Sequence, residues 1–561
     1  MSARRALAIG LGVVLLGSVL AHVVQTAGGT VRVTDVRFVD ARGSAMSALL
    51  YVPSEATAAH PAPAILAVHG YINSRETQSP FAIELSRRGF VVLALDQTGH
   101  GFSAPPAFAA GFGGPAGLEY LRALPFVDRD NVGLEGHSMG GWAVLSAAAA
   151  EPDGYRALVL EGSTTGVLGA PEGSPAFPRN LAIVFSRFDE FSDLMWGVPR
   201  GRDVAASKKL QAVFGSTDEI VEGRIYGDER NDLARVLRVP VTTHPGDHFS
   251  DAAVLDAIEW FQRWLAGSHP AAGQIWLWKE IGTLLGFLGL VVVIPAAAIA
   301  LLEHPFFARI AAPAVREAPR LAAAWPLAVV PALTYFPLFL LSDRLIAPNA
   351  LWPQQITNGL MLWLVGNGAL TAALLVWRGG LAQTVAGVGD GRFERIAKAL
   401  LLAVLAVAAG YALLATVASL LTVDFRFWVV AVKPLAPWHV VPFFAYLPVL
   451  AVFFVLLGGA LAPFTGGSSH VRAAARAAAI LSGGFMLLLA VQYVPLLLGA
   501  TLPLGQPLLT IVAIQFVVLL AVVGVDAAVC QRATGAIHLG AFVNALFVDW
   551  VVVAGQATHA A

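Results

Sequence analysis

Two regimes of hydrophobic patterning divide the chain. Residues 30–265 alternate short apolar runs with helix-spaced segments, whereas residues 275–556 are long apolar runs with short polar breaks. In the first regime "VRVTDVRFV" (31–39) and residues 47–52 alternate with period two, as a half-solvated hairpin does. "APAILAVHGY" (62–71), "GFVVLALDQTGHG" (89–101), "NVGLEGHS" (131–138) and "RALVLEGS" (156–163) contain continuous apolar runs of strand length, the signature of strands buried on both faces. Helical segments near 78–88, 115–124 and 140–150 lie between them. Strands alternating with helices predict an α/β domain on a mostly parallel sheet, in which chemistry collects at the carboxyl ends of the strands.

The second regime predicts an all-α transmembrane domain. Segments 281–302, 323–341, 356–377, 399–422, 440–462, 477–498, 508–529 and 536–555 are each long enough to span, the last interrupted by Asp549. At the N-terminus Arg4 and Arg5 precede about 19 mainly apolar residues, a cleaved signal peptide or an anchor helix. Its length and the lack of a clean small-x-small site favour the anchor. The expected organisation is therefore a membrane helix (1–29), an α/β domain (30–265), a linker (266–274) and about eight membrane helices (275–561).

Charge sets an expected orientation. With the N-terminus inside, inner loops carry Arg4, Arg5, Arg309, Arg316, Arg320, Arg378, Arg392, Arg395, Lys398, Arg472, Arg476 and Arg532; outer loops carry only Lys279, Arg344, Arg426 and Lys433. This bias predicts a multi-pass cell-membrane protein with residues 30–265 on the extracytoplasmic side. Trp276, Trp278, Trp352 and Trp438 fall at the predicted outer boundaries, as an aromatic belt would. Asp526 and Asp549 are the main intramembrane charges, and Pro295, Pro331, Pro448 and Pro495 lie where helices could kink. An anchor or scaffold role for these helices is favoured over transport.

Composition narrows the remainder. The chain is 57% hydrophobic and 13% charged, with a net charge of −1 and no basic block, so nothing points to nucleic acid. One cysteine, Cys530, excludes an intrachain disulfide framework and a cysteine-built metal site. No cofactor is expected.

The chemistry concentrates at "GHSMG" (136–140), a G-x-S-x-G sequence between a strand and a helix. Gly136 and Gly140 suit a tight turn that exposes Ser138 at its apex. A serine nucleophile needs a base and a group to orient that base. "VPVTTHPGDHFSD" (239–251), after the last strand, supplies His244 and His248. His248 is expected to be the base because it lies further beyond the strand, with His244 packed or hydrogen-bonded. Met139 N–H and Tyr71 N–H are expected to form the oxyanion hole, while His69 and His100 read as structural. The acid lies between Asp189, ending "NLAIVFSRFD", and Asp218, in "GSTD". A helix should follow the acid's loop, and "DVAASKKLQAVFG" (203–215) after Asp189 makes a better one, so Asp189 is preferred. Glu190 and Glu219 read as solvated or structural.

"AVHGY", "LDQTGHGFS", "GHSMGG" and "HPGDHF" together resemble the alpha/beta-hydrolase superfamily, in its dienelactone-hydrolase and serine-aminopeptidase-like branches. The resemblance covers about residues 30–265 and implies a Ser–His–Asp mechanism with Ser138 and His248. It departs from those soluble relatives in the membrane half. The expected activity is ester-type acyl hydrolysis on a small-molecule or lipid-like substrate. A serine peptidase is the enzymatic alternative, and a transport or scaffold protein with a non-catalytic domain the other.

Overall fold

In the computed structural model, residues 2–310, 324–386, 391–466 and 469–560 are described. Helix α1 (Ala3–Gln25) leads into strands β1 (Val31–Val39), β2 (Ala45–Pro53), β3 (Ala62–Val68), β4 (Val91–Asp96), β5 (Val127–His137), β6 (Ala157–Glu161), β7 (Leu181–Val184) and β8 (Arg235–Arg238). They form one sheet in the order β1-β2-β4-β3-β5-β6-β7-β8. The β1–β2 hairpin is antiparallel and joins β4 antiparallel, and all pairs from β4 to β8 are parallel. Alternate residues of each buried strand feed opposite layers. Leu66, Leu93, Leu134 and Leu158 pack on one side, and Ile65, Val92, Val159 and Val184 on the other. Helices α3 (Gly114–Arg122) and α4 (Met139–Ala150) cover the first face; α2 (Ser79–Ser86) and α7 (Asp251–Trp264) cover the second. Two short helices, α5 (Ser192–Trp196) and α6 (Lys208–Phe214), lie between β7 and β8. Burial on both faces is why these strands read as continuous apolar runs.

The remainder is helical: α8 (Trp276–Leu301), α9 (Trp325–Leu345), α10 (Gln355–Trp377), α11 (Leu381–Ala386), α12 (Arg392–Leu421), α13 (Val440–Leu461), α14 (His470–Leu497), α15 (Pro507–Thr534) and α16 (His538–Gly555). Among the described residues nine helices are long and apolar enough to cross a membrane, α1 and all of these except α11. Helix α1 packs along α8 closely enough that a Cβ on Gly17 would lie 2.7 Å from Gly286 N and from Leu285 Cβ. Close small-residue contact of this kind is how helices associate where lipid removes the hydrophobic drive. Arg316 and Arg320, part of the charge pattern, lie outside the described residues.

A hairpin between α12 and α13, β9 (Phe425–Phe427) and β10 (Val430–Val432), reaches back to the sheet domain. Here three of the four cations that the charge pattern assigned to outer loops are buried and paired. Lys433 Nζ lies 3.0 Å from Glu76 Oε2, Arg426 donates to Ser74 Oγ at 2.9 Å and lies 3.6 Å from Asp424, and Lys279 lies 3.0 Å from Glu280. Burial alone would raise Glu76, but Lys433, Arg75 and Arg426 hold its carboxyl well below the usual range. Trp276 differs from the aromatic-belt expectation. It is buried, its indole N–H bonds Asp251 at 2.9 Å and its ring meets Phe249 edge-on. That position joins the sheet domain to α8, whereas Trp278 is the exposed one.

Candidate active site

Ser138 sits between β5 and α4 with φ 53° and ψ −120°, a strained conformation for a residue with a Cβ. Its neighbours must be glycine: a Cβ on Gly140 would overlap Val68 O, and one on Gly136 would overlap Gly140 O. The turn is pinned by Ser138 N–H to Glu161 O at 2.8 Å and by the Ser163 hydroxyl to Ser138 O at 2.6 Å. Gly70, at the carboxyl end of β3, is so close that a Cβ there would stand 3.0 Å from Ser138 Cβ. Tyr71 N–H and Met139 N–H therefore flank the serine, and neither donates to a backbone or side-chain acceptor among the described residues. His69 and His100 are structural. His69 Nδ1 meets Gly70 O and its Nε2 accepts from Gln97 N–H, and His100 Nδ1 meets Thr98 O.

The imidazole that Asp189 meets is His244, whereas the sequence pointed to His248 as the base. His244 Nδ1 lies 2.8 Å from Asp189 Oδ2, and Asp189 Oδ1 accepts Phe191 N–H at 2.7 Å. The reason is local. "VPVTT" reads as strand, but β8 ends at Arg238, so the following residues form a loop running beside the acid's loop. Phe188 N–H bonds Thr242 O at 3.0 Å and Phe188 bridges Thr243, which brings His244 opposite Asp189. His248 lies one short helical turn later, buried between the His137 ring (centroids 4.1 Å) and Phe81 (6.0 Å), and its Nε2 has no hydrogen-bond partner among the described residues. Asp218, the alternative acid, is exposed on a turn.

Of the two readings of Glu190, solvated or structural, the structure shows the second. It is buried, its Oε2 accepts His244 N–H at 2.7 Å, and its Oε1 accepts the hydroxyl of Tyr493, from α14, at 2.7 Å. Burial and the adjacent Asp189 push its carboxyl up to about 8. Burial lowers His244 to about 4, against the pull of Asp247, so its imidazole is neutral at pH 7. Burial and Asp247 raise Asp189, opposed by the Phe191 N–H bond. Behind the site, His137 Nε2 lies 3.0 Å from His244 O, and burial raises the carboxyls of Glu135 and Glu161 well above their ordinary range.

Residues 59–194 match the family model described as serine aminopeptidase, S33. The sheet domain has the alpha/beta-hydrolase fold. Similar solved structures include a hypothetical protein, PA2218, from Pseudomonas aeruginosa (28% identity, 24% of this chain and 43% of that one, TM-score 0.22). Esterase Pf2001 from Pyrococcus furiosus (17%, 43% and 96%, TM-score 0.31) and a dienelactone hydrolase from Anabaena variabilis (20%, 42% and 99%, TM-score 0.30) are others. This chain thus spans less than half of the first and nearly all of the other two. No curated protein matches the sequence.

Ser138, His244 and His248 line a cavity of about 400 Å³ closed jointly by the sheet domain and the long apolar helices. Trp428, Gln355, Leu508, Ile511 and Gln515 form its wall on the helical side. Trp428 Nε1–H bonds Pro245 O at 2.6 Å, and the Tyr71 hydroxyl pairs with His559 Nε2 at 2.8 Å. These contacts join residues more than 180 positions apart, and no motif in the sequence announces them. Among the described lining residues none is Asp, Glu, Lys or Arg.

Proposed function

We propose that the protein is a membrane-bound serine hydrolase of acyl esters, with its site on the extracytoplasmic face. The observation that carries this reading is the 2.8 Å His244–Asp189 hydrogen bond beside Ser138 on its strained turn. Asp189 keeps the proton of neutral His244 on Nδ1, leaving Nε2 to take the Ser138 proton. The Ser138 oxygen then bonds the ester carbonyl carbon, and Tyr71 and Met139 N–H stabilise the oxyanion. The carbon–alkoxide bond breaks as His244 returns the proton to the leaving alcohol. Water, deprotonated by His244, then releases the acid and restores Ser138.

The cavity favours an ester over an aminopeptidase substrate. A free α-ammonium needs a carboxylate partner, since an unpaired buried charge is costly, and the described lining residues include none. Alkyl p-nitrophenyl esters and aminoacyl p-nitroanilides should be compared with wild type and Ser138→Ala. Serine-dependent turnover of the esters supports the proposal; serine-dependent turnover of the anilides alone would replace it with a peptidase.

A further inference from the structure

We propose that the acyl chain of the substrate runs from Ser138 into the membrane bundle, along an apolar channel beside α15; this rests on the ester-hydrolase reading above. Three cavities adjoin, each sharing lining residues with the next. The first holds Ser138 and is bounded by Leu508, Ile511 and Gln515 of α15. Gln515 also lines the second, a narrow space of about 40 Å³ between α10, α13, α15 and α16, walled by Leu360, Phe453, Leu519 and Val552. The second shares Trp363, Phe453 and Leu520 with a third of about 220 Å³ that extends toward α9 and α14.

Chemistry and length both select a hydrocarbon chain. At the junctions Gln515 Nε2 donates to Val429 O at 2.9 Å and Trp363 Nε1 to Pro331 O at 2.9 Å, and Gln556 is the one further polar side chain among the described residues on the wall of the second cavity. A polar group pushed past them would lose its water without replacement, whereas methylenes lose nothing. From Leu508 to Val523, both lining residues, α15 rises about 22 Å at 1.5 Å per residue. That exceeds the ~15 Å hydrocarbon depth of one leaflet, so the row of cavities extends as far as a membrane-lipid acyl chain. At about 40 Å³ the middle section is the constriction of this path, which disfavours a branched chain. The substrate class is therefore an ester of a linear long-chain fatty acid.

The test uses the full-length protein in lipid nanodiscs and p-nitrophenyl esters from butyrate to palmitate. Leu519→Trp narrows the middle section, and Phe516→Ala, on the same α15 wall of that cavity, widens it. The palmitate-to-butyrate ratio of kcat/KM should fall at least tenfold in Leu519→Trp, and Phe516→Ala should gain turnover of a methyl-branched long-chain ester. Labelling by an ethyl fluorophosphonate marks folded protein in each sample; if Leu519→Trp does not label, Phe516→Ala decides alone. Chain-length and branching profiles matching wild type within twofold, in variants that label, would overturn the channel and leave the hydrolase reading intact. Absence of labelling and of ester turnover in wild type would instead remove the hydrolase reading, and the channel with it.

Discussion

Replacing Asp189 by asparagine tests the orienting role at one hydrogen bond. Asp189 Oδ1 accepts Phe191 N–H at 2.7 Å and Oδ2 faces His244 Nδ1 at 2.8 Å. In the Asp189→Asn variant the backbone donor at Phe191 selects the amide oxygen for the first position, which turns the NH2 group toward Nδ1. Nδ1 must then accept, so the imidazole proton moves to Nε2, the nitrogen needed as base. The geometry survives in the wrong tautomer. A loss of this kind costs about 10⁴ in kcat, or ~5.5 kcal/mol of barrier. The assay is kcat on p-nitrophenyl butyrate with the full-length protein, beside Asp218→Asn. Because Asp218 is exposed on a turn, its variant should stay within about twofold of wild type, as surface substitutions usually do. Retention of more than a tenth of wild-type kcat by Asp189→Asn, or a large loss in Asp218→Asn, would refute this reasoning.

Three further outcomes follow from the same site. His244→Gln should lower kcat by about 10⁴ and His248→Gln by less than about tenfold; the reverse order would restore His248 as the base. Because burial holds His244 down to about 4, its neutral form persists through mild acid. The acid limb of kcat/KM should fall near pH 4 rather than near the ~6.5 of a free imidazole, and a limb at 6.5 would contradict this. Tyr493→Phe removes the hydroxyl that α14 donates to Glu190. At ~1 kcal/mol for one hydrogen bond, it should slow ester turnover about fivefold while leaving expression and assembly intact, and unchanged kinetics would show that the link does not position His244.

Much of the hydrolase domain was readable because burial on both faces leaves its mark in each strand. β3, β4, β5 and β6 appear as apolar runs, and the glycines around Ser138 are those whose side chains would collide. Which histidine meets Asp189 was not readable, because the strand stops at Arg238 and backbone pairing of Phe188 with Thr242 sets the loop that carries His244. Glu190 could not be resolved between solvated and structural because its buried partner, Tyr493, lies 303 positions away. Arg426 and Lys433 entered the sequence only as a charge count, and the pairing of Lys433 with Glu76, 357 positions away, depends on the fold. The long apolar helices were equally plain from length and hydropathy, whereas their share in the cavity wall depends on packing that periodicity does not encode.

The central claim is that Ser138 is a nucleophile activated by His244 and Asp189. Its most direct measurement is mass-spectrometric mapping of the covalent adduct formed when the full-length protein meets a fluorophosphonate. One adduct is expected on the peptide carrying Ser138, absent in Ser138→Ala and formed at least a thousandfold more slowly in His244→Gln. Folded protein that stays unlabelled, or an adduct on another residue, would contradict it.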